Sequence, residues 1–344
     1  MNSRERVMTA LAGGTPDRIP HMEMDILPAV IDQIMPGAAT IDFYEEFDVD
    51  GVCVFYDLMY QDVAPDIKKD CFGIHRNFKE MHGEFPFPIA PLVPPDGDPL
   101  KFLETYEMPK PIPKMLENLA ETINRLKGKK AVCFIMHTSL LYPTFFRGFN
   151  ELMLDYYVNP EFARRVGDMF TDFFVSLEEM AIDMGADFVL DGEDYAGTKS
   201  LWMSEEMLKE FVLPGLRKAV DMAHQKGVPF VKHCDGSIMP ILDLLVEQGI
   251  DCLNPIEPAA GMDIGVVKKK IGDKVSLWGN IDCTHLLTFG TPEEVRKATI
   301  KCVKDAASNG GFILSSSNTI HEAVPPENYL MMVRTLREYG NYPL

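Results

Sequence analysis

The chain has 344 residues, 46% hydrophobic and 25% charged, a balance that fits a folded globular protein and excludes intrinsic disorder. Asp and Glu total 52 against 33 Lys and Arg, for a formal charge of −19. That sign excludes a nucleic-acid binder, which needs cations to neutralise phosphates.

The opening MNSRERVMTALAGG reads as a short amphipathic helix with no leader-peptide core. No stretch reaches the roughly eighteen consecutive apolar residues that a membrane span needs, so a cytoplasmic protein is expected. Cys53, Cys71, Cys133, Cys234, Cys252, Cys283 and Cys302 show no C-x-x-C spacing. They read as small hydrophobes in a reducing compartment rather than as a disulfide framework. Eight short apolar runs then end in polar residues, each followed by a helical stretch: 19–25 (IPHMEMD), 49–57 (VDGVCVFYD), 131–138 (AVCFIMHT), 186–194 (ADFVLDGED), 229–236 (PFVKHCDG), 251–258 (DCLNPIEP), 275–282 (VSLWGNID) and 311–318 (GFILSSSN). Helical periodicity is clearest over 150–184, broken near Pro160, and over 237–248 and 292–307. Glycines in MGAD, QKGVP, EQGID and SNGG mark helix ends feeding strands. This alternation implies parallel strands with crossover helices. Eight repeats close an α/β fold, a single (β/α)8 TIM barrel spanning 1–344, with a doubly wound open sheet as the alternative. After the second run, a Pro-rich insertion over 62–113 is either a lid or a surface excursion.

In such a barrel the active site lies at the C-terminal strand ends. Asp57, Glu193 and His233 are the candidate catalytic groups there. Met22, Asp25, Tyr56, His137, Asp191, Glu257, Asn280 and Asn318 are candidate substrate contacts. His233 and Asp235 alternate along one strand and so point the same way, with Glu193 on the neighbouring run. Glu193, His233 and Asp235 suit zinc with an open fourth position; a metal-free imidazole satisfied by a carboxylate is the alternative. Asp282 or Asp194 is expected to cap the helix that follows it. Methionine and aromatic residues near the rim, such as Met22, Tyr142, Phe145 and Phe146, suit an apolar ring or ordinary core packing. The chain has no G-x-G-x-x-G, P-loop or G-x-S-x-G, so dinucleotide, nucleotide and serine-hydrolase chemistry are not indicated.

TPDRIP, VFYD, KHCDG, NPIEPAAGMD, LWGNID with FGTPEEV, and GGFILSSSNTIHEAVPPENY follow one another nearly end to end. In that order they resemble the uroporphyrinogen decarboxylase superfamily, which implies one (β/α)8 barrel. The superfamily decarboxylates porphyrinogens or transfers methyl groups to or from corrinoids. True decarboxylases carry an arginine-rich R-Q-A-G-R-Y segment where this chain has HMEMDILPAV. Glu23 and Asp25 would repel a polycarboxylate there, although Asp57 corresponds to the decarboxylases' active-site aspartate. Decarboxylation therefore ranks last. In the methyltransferase branch the resemblance implies zinc held by H-x-C and a later cysteine. His233 matches the histidine, while Asp235 and Asn318 occupy the cysteine positions. That harder set resembles the methyltransferase I components of O-demethylases. It implies transfer of a methyl group from an aryl methyl ether, of guaiacol or veratrole type, to the cobalamin of a separate corrinoid protein. Transfer from a methylcorrinoid to a thiol or pterin acceptor, and a non-catalytic small-molecule-binding barrel, stay open alternatives. A homodimer is compatible with all of them.

Overall fold

The computed structural model describes residues 1–82 and 85–344, without the side chains of 80–82 and 85. Seven of the eight apolar runs form strands. The first is β1 (Gly51–Val54), followed by the small strands β2 (Gln61–Ala64), β3 (Ile67–Lys69), β4 (His75–His82) and β5 (Phe85–Pro88). Then come β6 (Ala131–Met136), β7 (Phe188–Asp191), β8 (Phe230–His233), β9 (Cys252–Asn254), β10 (Ser276–Ile281) and β11 (Phe312–Ser316). The main sheet runs β1-β6-β7-β8-β9-β10-β11, and every neighbouring pair is parallel.

The run at 19–25 closes the cylinder without being a strand. His21 bridges Leu314 in parallel sense. The Leu314 N–H donates to Pro20 O at 3.0 Å, Met22 N–H to Leu314 O at 3.2 Å and Asp50 N–H to His21 O at 2.7 Å. Pro20 has no N–H to extend a ladder, so one stave of the (β/α)8 barrel is reduced to a bridge. Buried Glu23 fixes that stave by accepting from Ser316 N and Ser316 Oγ.

Side chains alternate across the strands. Ala131, Cys133, Ile135, Phe188, Leu190, Val231, Cys252, Trp278 and Ile313 fill the lumen. Val132, Phe134, Met136 and Val189 face the outer helices. Burying one such aliphatic side chain contributes about 1.5–3 kcal/mol. The helix Ser3–Leu11 starts in a capping box between Asn2 and Glu5 and sends Val7, Ala10 and Leu11 into the lumen's lower end. Arg6 ties it to buried Asp50 at 2.7 Å, and the Ser276 hydroxyl donates to Ala10 O at 2.8 Å. With that end plugged, the lumen opens toward the strand C-termini.

The outer layer follows the periodicity, with helices Phe149–Val158 and Pro160–Met184 separated at Pro160. Gly185 ends the second in a left-handed conformation, φ 111°, just before β7. The insertion holds β2 to β5 as an antiparallel sheet and the helix Pro99–Thr105. Its base is fixed by the buried Asp70–Arg76 pair at 2.7 Å, and Asp70 also accepts from Phe72 N and Ile74 N. Phe72 packs edge-on against Tyr142, Phe170 and Phe173 of the barrel helices. The Val93 N–H donates to Phe146 O and Arg147 Nη1 to Pro94 O, so the far end is tied down as well.

Candidate functional site

The inward parity of Phe188 and Leu190 continues past the end of β7 to Asp194, while Asp191 and Glu193 turn to the outer layer. On β8 the inward parity of Val231 continues to His233 and Asp235. The three donors brought together are therefore Asp194, His233 and Asp235, whose ligand atoms lie within 4.8 Å of one another. His233 Nε2 stands 3.8 Å from Asp194 Oδ1 and 3.7 Å from Asp235 Oδ2.

The neighbours orient these groups. His233 Nδ1 lies 2.6 Å from Asn254 Oδ1, and Asn254 Nδ2 donates to Trp278 O at 3.0 Å. With its amide hydrogens committed to Trp278, Asn254 presents an acceptor to Nδ1–H and leaves Nε2 facing the carboxylates. Asn318 Nδ2 donates to Asp235 Oδ2 at 2.6 Å, and Asp235 N–H donates to Asp194 Oδ1 at 2.7 Å. Gly236 makes the turn at φ 89° and donates its N–H to Glu257 Oε2 at 2.7 Å. A Cβ there would stand 2.7 Å from Ala196 O, so only glycine lets these two loops approach.

The electrostatics favour a cation at this point. Burial opposes charge on the His233 imidazole, but Asp235 and Asp194 outweigh it and raise it to about 9. Burial, with Asp235 alongside, raises the Asp194 carboxyl. Asp235 Oδ1 is buried and has no hydrogen-bond partner among the described residues. One imidazole nitrogen and two carboxylates, one of them with a buried unpaired oxygen, fit a divalent cation of borderline hardness such as zinc.

Glu193 is not part of the cluster, which corrects its expected role as a ligand and catalytic group. Wholly buried, its Oε1 accepts from Thr138 N at 2.9 Å, Leu140 N at 2.9 Å and Leu141 N at 3.0 Å, and its Oε2 from Thr138 Oγ1 at 2.8 Å. It thereby satisfies the free amides opening the helix Leu141–Arg147. Asp194, one residue on, holds the position expected of Glu193 and is not a helix cap. Asp282 accepts from Thr284 N and His285 N in the turn before the helix Leu286–Phe289, which has no side-chain cap of its own.

The other expected residues divide. Asn318 touches the cluster, and Glu257 reaches it through Gly236. Both also line a second cavity of about 410 Å³ with Thr284, Ser317 and His321. Asp191 instead pairs with buried Lys232 at 2.6 Å behind the strands. Tyr56 faces the outer helices, its hydroxyl 2.7 Å from both His137 Nδ1 and Tyr142 Oη. His137 is lowered to about 3 by burial and by Lys232, so it is neutral. Met22 lies in the lumen, and its carbonyl accepts from Trp278 Nε1. Asn280 turns to Ile256 O and Cys302, away from the mouth. Asp57 is exposed and accepts from Met59 N in its own turn. Half-buried Asp25 gives its carbonyl to Ile320 N.

A cavity of about 410 Å³ adjoins the cluster through Asp194. Its walls are Leu141, Thr144, Phe145, Phe149, Trp202 and residues 87–91 of the insertion. Phe149 meets Trp202 edge-on at 5.3 Å between ring centroids. Phe149 and Trp202 lie on loops and helices away from the strand ends, where no sequence motif marks them.

A parallel barrel with a His/Asp/Asp cluster on its C-terminal rim defines a class of barrel protein with a metal-type site beside an apolar cavity. The chain belongs to the uroporphyrinogen decarboxylase (URO-D) family, whose model matches residues 2–339. It is 29% identical over 180 residues to a methylated-thiol–coenzyme M methyltransferase of Methanosarcina mazei, an alignment covering 52% of this chain and 46% of that relative. It is 24% identical over 314 residues to a uroporphyrinogen decarboxylase of Neisseria meningitidis, covering 87% of this chain and 81% of the relative. A solved methyltransferase from Methanosarcina mazei has the same fold, with a TM-score of 0.78, 17% identity and coverage of 98% of this chain and 99% of that one. Among the described residues, no helix is long and apolar enough to cross a membrane.

Proposed function

We propose that this protein is a methyltransferase that takes a methyl group from an aryl methyl ether and gives it to the cobalamin of a separate corrinoid protein. The observation that carries this reading is the Asp194–His233–Asp235 cluster opening onto an apolar cavity. The relative that acts on a methylated thiol supports methyl transfer, and the oxygen-rich donor set supports an oxygen leaving group.

Asp194, His233 and Asp235 would hold the metal, with Asn254 and Asn318 fixing the donors' orientation. When bound, zinc supplies a Lewis acid for the charge that develops on the phenolic oxygen. The apolar walls around Phe145, Phe149 and Trp202 hold the ring and keep water from it. Asp194 lies at the cavity's edge, so a ring held there would present its ether oxygen to the metal side of the cluster. There the O–CH3 bond would break as the methyl group passes to the partner's corrinoid, which would supply the nucleophile, and the electron pair would stay with the phenolate. Nothing in this step calls for the arginines that hold a porphyrinogen's carboxylates.

The experiment is methylation of cob(I)alamin on a purified corrinoid protein, with 2-methoxyphenol as donor, followed by absorbance. Turnover that disappears together with bound zinc in His233→Ala is the expected result. Turnover only with a methylated thiol refutes the ether assignment. Unchanged metal content in the variant refutes the assigned ligands.

A further inference from the structure

The cavity beside the cluster carries more information about its ligand than its size. Among its described lining residues there is no Lys, Arg or His, and the one ionisable group is Asp194. The nearby Arg76 guanidinium stacks on Phe145 at 5.1 Å, but it is wholly buried and committed to Asp70 at 2.7 Å and Pro86 O at 3.0 Å. Thr144 is a weak polar contact, since its hydroxyl already donates to Leu141 O at 2.6 Å. An anionic substituent entering this space would lose its water, meet no cation, and approach the carboxylate of Asp194. A dication held by Asp194 and Asp235 would leave little positive charge to offset that, because the two carboxylates balance it.

We propose that the cavity selects aromatic methyl ethers that carry no carboxylate, rejecting ring acids of the same shape by charge. The proposal rests on the aryl-ether reading above and specifies it. Phe149 and Trp202 are the selecting wall: both are partly exposed at the opening, 42% and 38%, and they meet edge to face. An aromatic ring is held there by ring–ring contact, which is indifferent to neutral substituents.

The test is isothermal titration calorimetry of the purified full chain, with and without a chelator, using three probes. These are 2-methoxyphenol, 4-hydroxy-3-methoxybenzoate, and the uncharged alcohol of the same size, 4-(hydroxymethyl)-2-methoxyphenol. The two neutral probes should bind within a few-fold of one another, and the benzoate roughly a hundredfold or more weaker under both conditions. Trp202→Ala should weaken 2-methoxyphenol about tenfold, placing the ligand in this cavity. Phe149→Arg, at an exposed position, removes a ring contact and should weaken the alcohol about as much as Trp202→Ala does, yet narrow the gap between benzoate and alcohol at least about tenfold. Benzoate binding within about tenfold of the alcohol in the unaltered protein overturns the charge selection, even if ethers are turned over. Absence of binding by all three probes overturns the aryl-ether reading itself.

Discussion

Glu193 and Asp194 are neighbours with opposite assignments, so exchanging their fates is the sharpest check on the site. In Glu193→Ala the amides of Thr138, Leu140 and Leu141 and the Thr138 hydroxyl lose their acceptor. The hydroxyl can turn to another partner, but the three amides cannot. Each buried donor left unpaired costs about 1–3 kcal/mol, so the variant should lose about 5 kcal/mol. At roughly 2 °C per kcal/mol in a chain of this size, the melting temperature should fall by about 10 °C. Bound zinc per chain should not change at temperatures where the variant is folded. Asp194→Asn is the converse. Its side chain is 32% exposed, and the amide oxygen can still accept from Asp235 N–H, so stability should shift by less than about 1 kcal/mol. Bound zinc should be lost, because an anionic ligand has become neutral. Scanning calorimetry and elemental analysis of both variants decide the matter. A Glu193→Ala protein that melts normally but lacks metal, or an Asp194→Asn protein that keeps it, would refute the parity argument from which the cluster was built.

Three further outcomes follow from the same geometry. Asn254→Ala should leave the fold intact but weaken zinc binding by about 10–100-fold, measured by competition with a chromogenic chelator, because His233 loses the contact that fixes its tautomer. Glu178 is buried with neither oxygen partnered among the described residues, and burial raises it to about 9. Between about pH 4.5 and 9 the unfolded chain releases this proton while the folded chain keeps it, so stability falls as pH rises. Glu178→Gln should remove that slope and add about 3 kcal/mol at pH 7 in urea titrations; an unchanged slope would count against it. Asp70→Ala should remove the carboxylate that pairs with buried Arg76, at about 3–5 kcal/mol, and expose the insertion to limited proteolysis before the barrel melts.

The staves were legible because runs such as AVCFIM and GFILSSS are short, apolar and end in polar residues, and all seven strands after the first run fall inside the expected limits and in order. The stave at 19–25 was not, since its apolar and polar residues suit a strand while Pro20 removes the donor a ladder needs. His233 and Asp235 could be paired from alternation alone. Choosing between Glu193 and Asp194 required knowing which face of β7 meets the lumen. That strand is buried on both faces, so hydrophobicity carries no sign of it. The same ambiguity placed Tyr56 and Asp191 at the mouth when they belong to the outer layer. Phe149 and Trp202 reach the cavity from outside the strand ends, through tertiary packing that no local pattern encodes.

Parity also explains why the donor set is hard. Cys234 lies between His233 and Asp235, close enough in sequence to look like a ligand. Its sulfur faces the other way, 3.2 Å from Tyr195 N and 3.5 Å from Asp235 O, and burial pushes its thiol up and keeps it protonated. A thiolate could enter the cluster only by replacing an inward-facing residue such as 235, not by a rotamer change at 234. Asn318 contributes a neutral amide that supports Asp235. The cluster thus offers nitrogen and anionic oxygen with no soft donor, a set that binds its metal as a stronger Lewis acid than thiolates would. A sulfur leaving group gains little from such an acid, because a soft thiolate is poorly matched to an oxygen-rich, hard metal site. An aryl ether gains most, because its phenolate must be stabilised as the carbon–oxygen bond opens. Under the reading proposed above, that asymmetry would favour oxygen over sulfur as the atom from which the methyl group departs.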